Sequence, residues 1–197
     1  MENIMVRRMA LSLVLISLFS FTAQAGDKQK QTKSFPAGKI RTVTILCPGK
    51  CTLNNYSSGT INLDGIMTSS GTVYGFKHIS ATPFDIITQQ FNDSLVISTT
   101  PFSRVVTFGF STYEETLELN ISLPLSVKVV YVNCEKELDA EITKQNIASI
   151  YCNARKGAVI EGSSQQNIKG EKREAEFFGS GSQYYSLIAN NIKMALK

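Results

Sequence analysis

The sequence contains no tryptophan and a single histidine in 197 residues, and only 18% of its residues are charged. A nucleic-acid groove needs a concentrated basic face, whereas the 20 basic residues here are dispersed among 16 acidic ones, so we expect no nucleic-acid partner. A disordered chain would hold fewer hydrophobic residues than the 43% present. The composition therefore predicts a folded domain with a sizeable core.

The motifs of common enzymes are also absent. His78 lies between Lys77 and Ile79, and no G-x-S-x-G sequence supplies a nucleophile for it. No glycine-rich phosphate-binding loop is present either. We therefore predict that the chain is not an enzyme, with no catalytic residue and no cofactor.

Paired acids are the remaining catalytic candidates, because glycoside hydrolysis uses two carboxylates. The pairs are Glu114 with Glu115, Asp139 with Glu141, and Glu174 with Glu176. We interpret them as the solvated outer faces of strands. A carbohydrate-active enzyme on a parallel β-helix is the alternative function.

The first 25 residues have the three parts of a signal peptide. Arg7 and Arg8 precede a 13-residue apolar run, and Ala23-Gln24-Ala25 provides a cleavage site. The run is short for a membrane span. We predict cleavage before Gly26, a polar flexible segment over 26–33, and export to the periplasm, the cell surface or the extracellular space. No second long apolar run follows, so no membrane-spanning segment is expected in the mature chain.

Four cysteines in an exported chain are available for disulfides. Cys47 and Cys51 flank Pro48-Gly49-Lys50, which predicts a tight turn between two strands and a possible Cys47–Cys51 disulfide across that hairpin. Cys134 and Cys152 either bridge or pack in the core. Zinc usually needs a second cysteine knuckle or histidine partners, so no metal is expected.

Short apolar alternation broken by turn residues predicts strands along most of the chain, with residues 34–197 as one domain. The predicted strands include Lys39–Ile45, Thr60–Leu63, Phe84–Ile87, Ser94–Ser98, Arg104–Phe108, Thr116–Leu123 and Ser186–Leu196. Asn92-Asp93 is one of the predicted turns.

The C-terminal third repeats with a period near 20 residues. Val127–Tyr131 is matched by Ile147–Tyr151, and Gln145-Asn146-Ile147 recurs as Gln166-Asn167-Ile168. Two strands in each period are typical of a β-solenoid, whose successive coils stack in sequence order. We therefore predict an all-β fold, a right-handed parallel β-helix with about 20 residues per coil. In it Val127, Ile147 and Ile168 would lie in one column.

Several short motifs resemble a known family. Asp93–Ile97 is similar to a g-x-L-x-I strand, Pro83–Gln89 to an f-d-v-x-x-x-q strand, and Leu117–Pro124 to an l-x-v-x-i-x-l-P strand. Gly179–Ser182 replaces a G-S-G-s step. Over residues 32–197 the chain resembles the putative auto-transporter adhesin head domain (GIN domain) family of exported bacterial proteins. It departs from that family at Asn133-Cys134 and Asn153-Ala154 and in its paired cysteines.

The resemblance implies an exported right-handed β-helix of the bacterial cell envelope, and it brings no catalytic residues. We therefore predict a non-enzymatic adhesin or surface-interaction module. Its partner would be an unknown protein or glycan at the cell surface, and a homo-oligomer is possible. Phe177-Phe178 and Tyr184-Tyr185 would cap the coil or form a trimer contact, with ligand contact as the second interpretation. A small outer-membrane barrel is a third alternative, although Met194–Lys197 lacks a terminal aromatic residue.

Overall fold

The computed structural model of the chain describes residues 22–74, 83–100, 105–108, 111–161, 167–169 and 173–197. These residues form fourteen strands and one 3-10 turn, at Lys144–Asn146, so the described part is all-β as predicted. No helix in these ranges is long and apolar enough to cross a membrane. The strands are β1 (Thr22–Pro36), β2 (Thr42–Cys47), β3 (Lys50–Tyr56), β4 (Thr60–Tyr74), β5 (Ile86–Phe91), β6 (Ser94–Thr99), β7 (Val105–Phe108), β8 (Ser111–Pro124), β9 (Val129–Cys134), β10 (Glu137–Ile142), β11 (Ile147–Glu161), β12 (Asn167–Lys169), β13 (Glu174–Phe178) and β14 (Gln183–Leu196).

Local sequence signals predict several elements correctly. The predicted turn Asn92-Asp93 joins β5 and β6 as an antiparallel hairpin. Asn92 has a φ of 54°, in the left-handed region that asparagine tolerates. The predicted strand Ser186–Leu196 lies within β14.

Residues 26–33 lie within β1, where the sequence suggested a polar flexible segment. Polar side chains hold this strand in place. The Gln31 amide donates to the Phe84 carbonyl at 2.9 Å and accepts from the Ile86 N–H at 3.0 Å. Polar composition therefore does not prevent order here, because the side chains bond to a neighbouring backbone.

The chain divides into two compact units. Of the described residues, the smaller one comprises 22–28, 68–74, 105–108 and 111–115. Within it β7 pairs antiparallel with residues 111–114, and the Tyr113 hydroxyl donates to the Glu115 carboxylate at 3.0 Å. Of the described residues, the larger unit comprises 29–67, 83–100, 116–161, 167–169 and 173–197. Apart from Glu115, the features described below belong to it.

The larger unit has two layers of parallel strands that share one hydrophobic core. Layer one has the spatial order β6, β2, β9, the first half of β14 and the first half of β11. Layer two has the order β8, β3, β10, the second half of β14 and the second half of β11. The chain crosses between layers at short corners, such as Pro48-Gly49 between β2 and β3.

The core consists of columns of in-register side chains, because alternate residues of each strand point inward. In layer one, one column joins Ile97, Ile45, Val132, Leu187 and Cys152, all buried. In layer two, a matching column joins Ile121, Leu53, Ala140, Met194 and Ile160.

The strand pairings correct the predicted winding. Strand β14 lies between β9 and β11, so the coils do not stack in sequence order. Ile168 lies in β12, which pairs antiparallel with β13, and so it is outside the predicted column with Val127 and Ile147. The right-handed parallel β-helix with 20-residue coils is therefore not what these pairings show. An inward-outward period of two residues is the same whichever strand lies alongside, so it carries no information on strand order.

The predicted hairpin around Pro48-Gly49 is also wrong. Strand β2 pairs with β6 and β9, whereas β3 pairs with β8 and β10. The two strands therefore belong to different layers and do not pair with each other. All four cysteines are buried and carry free thiols in the structure, and the possible Cys47–Cys51 disulfide stays a prediction.

Candidate functional site

The outer surface of layer one is uncharged over its five central strands. Three positions on each strand point outward, and none of them holds an acidic or basic residue. We call this surface the uncharged face. Its residues are Ser94, Val96, Ser98, Thr42, Thr44, Leu46, Val129, Tyr131, Asn133, Tyr184, Ser186, Ile188, Ser149, Tyr151 and Asn153.

Exposed apolar side chains concentrate on and beside this face. Ten large hydrophobic side chains are exposed in the described part of the chain, and eight of them point out from layer one or its flanking strands β5 and β13. These eight are Leu46, Ile87, Phe91, Tyr131, Tyr151, Phe178, Tyr184 and Ile188. A contiguous exposed apolar patch with polar neighbours is typical of an interaction surface.

The aromatic residues are held in register by the sheet. Tyr131 on β9 is paired with Ser186 on β14, which is paired with Tyr151 on β11. The two tyrosines therefore lie two strands apart, about 9.6 Å at the usual strand spacing. The Tyr151 hydroxyl donates to the Glu174 carboxylate at 3.3 Å, and the Asn153 amide donates to that hydroxyl at 3.4 Å.

The outer surface of layer two has the opposite character. Lys50 pairs with Asp139 at 3.1 Å, Lys193 with Glu161 at 3.7 Å, and Lys197 with Glu141 at 2.6 Å. The bond with Asp139 also raises the pKa of Lys50. Charges that are paired and solvated in this way keep a surface soluble and contribute little to stability.

The carboxylates considered as catalytic pairs lie in different surroundings. Asp139 and Glu141 share the outer face of layer two, where each has a lysine partner. Glu174 accepts the hydroxyl of Tyr151 at the edge of the uncharged face. Glu115 lies buried in the smaller unit beside Tyr113. His78 lies outside the described residues, and these residues contain no group of three or more potential metal ligands.

The two aromatic pairs near the C-terminus are each divided between core and surface. Phe177 and Tyr185 are buried, whereas Phe178 and Tyr184 are exposed on the outer side, where they flank Ser149 of β11 from opposite sides. Both residues of each pair were predicted to lie together in one patch, and this division between core and surface corrects that. Tyr131 and Tyr151 were not predicted as surface residues, although the 20-residue repeat aligns them and so gives them equivalent positions.

No protein-family model and no curated protein sequence matches the chain. Two solved structures are similar to it in part. One is a putative cell adhesion protein from Clostridium sporogenes, with 14% identity and a TM-score of 0.42, covering 87% of this chain and all of the other. The second is a putative adhesin from Bacteroides fragilis, with 8% identity and a TM-score of 0.31, covering 86% of this chain and 97% of the other. Similarity this low carries no conclusion about function, and the resemblance to the GIN domain family stays a resemblance.

Proposed function

We propose that the chain is an exported, non-enzymatic adhesion module that binds an uncharged glycan chain at the cell surface through the uncharged face. The observation that carries this proposal is the placement of eight of the ten exposed large hydrophobic side chains of the described residues on one side of layer one and its flanking strands β5 and β13.

The dimensions of the face favour a narrow, extended ligand. Together with its flanking strands β5 and β13, the second of which carries Glu174 and Glu176 outward, the face spans seven strands, or about 30 Å. Three outward positions per strand give a width of about 13 Å. That area, about 400 Å², is roughly half of what each partner contributes to a standard protein–protein interface of about 800 Å². An extended polysaccharide lying across the strands matches such a strip better than a second folded protein does.

The chemistry of the face favours sugar over an ionic ligand. Exposed tyrosine rings present apolar area for the C–H surface of a sugar ring and a hydroxyl that donates or accepts. The Asn133 and Asn153 amides lie one strand step from Ile188, and both donors and acceptors are thus available to sugar hydroxyls. With no charged residue at the central positions, an anionic glycan gains no ion pair there.

The test is binding of the full chain to an array of neutral and anionic polysaccharides, with Tyr131→Ala, Tyr151→Ala and Val159→Ala compared. Val159 is the matched control, because it is 52% exposed but lies on the outer side of layer two. We expect each tyrosine variant to weaken binding of a neutral glycan about tenfold or more, which corresponds to about 1.4 kcal/mol. Val159→Ala should bind like the unmodified chain.

Three results would reject the proposal. One is the absence of neutral-glycan binding, and another is binding that Tyr131→Ala leaves unchanged. The third is a dimer, seen by light scattering, that Tyr131→Ala dissociates, since a second copy would then cover the face. Release of reducing sugar ends from a bound polysaccharide would instead support the carbohydrate-active enzyme.

A further inference from the structure

Cys47 and Cys134 are in-register partners on neighbouring strands of layer one. They occupy the last positions of β2 and β9, and both side chains are 2% exposed. In-register residues on adjacent strands have Cα atoms about 4.8 Å apart, which lies within the range of about 4.4–6.8 Å found for disulfides.

The two sulfur atoms also share one corner of the fold. The Cys134 thiol donates to the Gly49 carbonyl at 3.0 Å, and the Cys47 thiol donates to the adjacent Lys50 carbonyl at 3.5 Å. The contact with the Cys134 thiol, together with burial, raises the pKa of Cys47, and the same contact lowers the pKa of Cys134.

The other two cysteines have no cysteine partner in register. Cys51 is paired with Leu119 and Leu138, and Cys152 is paired with Leu187 and Ala175. Burial raises the pKa of Cys51, and it raises the pKa of Cys152 to about 12, so both remain protonated at neutral pH.

We propose that Cys47 and Cys134 form a disulfide when the chain folds in an oxidising compartment, joining β2 to β9, and that Cys51 and Cys152 stay reduced. The oxidant is a low-molecular-weight disulfide such as oxidised glutathione. One cysteine thiolate attacks its sulfur–sulfur bond and releases one glutathione thiolate. The second cysteine then displaces the other glutathione, so a single new S–S bond forms and the two cysteine protons end on two glutathione thiols. The reaction must precede burial of the pair, because the folded structure shields both thiols.

Tryptic mapping tests this directly, since Lys50 separates Cys47 from Cys51. The four cysteines fall in four different expected peptides, 42–50, 51–77, 129–136 and 145–155. The full chain is refolded in glutathione redox buffer, unfolded in denaturant that contains iodoacetamide so that every free thiol is alkylated, digested without reductant and analysed by mass spectrometry. We expect peptide 42–50 linked to 129–136, with the mass of the pair lower by two hydrogens, and alkylated Cys51 and Cys152. A link from 42–50 to 51–77, or four alkylated cysteines, would overturn the proposal.

Two variants separate the rival bridges. Cys51→Ala should keep the link between 42–50 and 129–136, whereas Cys134→Ala should lose every link. The opposite pattern would establish the hairpin-type Cys47–Cys51 bridge. Should Cys134→Ala fail to fold, the map of the unmodified chain and that of Cys51→Ala still decide. The outcome is independent of glycan binding.

Discussion

The side chains of Asn55 and Gln183, 128 residues apart in the sequence, meet inside the larger unit, where the Asn55 amide donates to the Gln183 carbonyl at 3.2 Å. Gln183 is 1% exposed and also donates to the Val127 carbonyl at 2.8 Å. Asn55 in turn accepts the N–H of Thr143 at 2.9 Å. One amide pair thus connects β3 of layer two to β14 of layer one.

Replacing Gln183 by Ala should destabilise the chain by about 1–3 kcal/mol, because it leaves buried polar groups without their partner. Asn55→Ala should have a similar effect. The double variant should lose less stability than the two single variants lose in total, as expected for residues in one network. Urea denaturation measures all three. Asn54→Ala, which changes an outward residue of the same strand, is the control. Full additivity would contradict the coupling.

The stability of the chain should fall in strong alkali because of Tyr185. Burial raises the pKa of its phenol above the usual value, and its hydroxyl donates to Gln183 at 3.1 Å. Unfolded tyrosine ionises near pH 10, so the unfolded state loses its proton first. The stability that the protonated Tyr185 phenol contributes to the folded state is therefore fully present below about pH 10. It is lost as the pH rises from there toward the pKa of the folded state. Comparing urea midpoints of the unmodified chain and Tyr185→Phe across this range isolates the effect. Identical pH profiles would refute it.

Gly49→Ala should destabilise the corner between β2 and β3. A Cβ atom at Gly49 would lie 2.1 Å from the Leu117 carbonyl oxygen, so the backbone would have to shift. Overpacking of this kind costs about 1–3 kcal/mol. Gly59→Ala is a matched control, since a Cβ there meets no atom within 4 Å. The melting temperatures of the two variants should differ clearly, and equal values would show that the corner can relax.

Binding through the uncharged face should depend little on ionic strength. Salt screens interactions between charges, and the central positions of the face have none. Titrations of the glycan ligand at low and high salt should give similar Kd values, and Asp139→Asn on layer two should not change them. A steep loss of affinity with salt would place the binding site on the charged surface instead.

Local patterns in the sequence predicted most of the strands. The alternation of Val130, Tyr131 and Val132 identifies which side chains point inward, because the period of a strand is a property of the strand itself. The Asn92-Asp93 turn was predicted for the same reason, since its backbone conformation is decided by two residues.

The order of the strands was decided by tertiary structure. The repeat gives Tyr131 and Tyr151 equivalent positions, yet Ser186 of the last strand lies between them. Likewise Cys47 has Cys134 beside it and not a hairpin partner, because β2 and β3 belong to different layers. The uncharged face arises only when five strands from distant parts of the chain come together. Neighbouring residues are enough to predict the strands and their inward and outward faces. Which strands lie side by side depends on packing over the whole core. A pattern of neighbouring residues contains no information about that order.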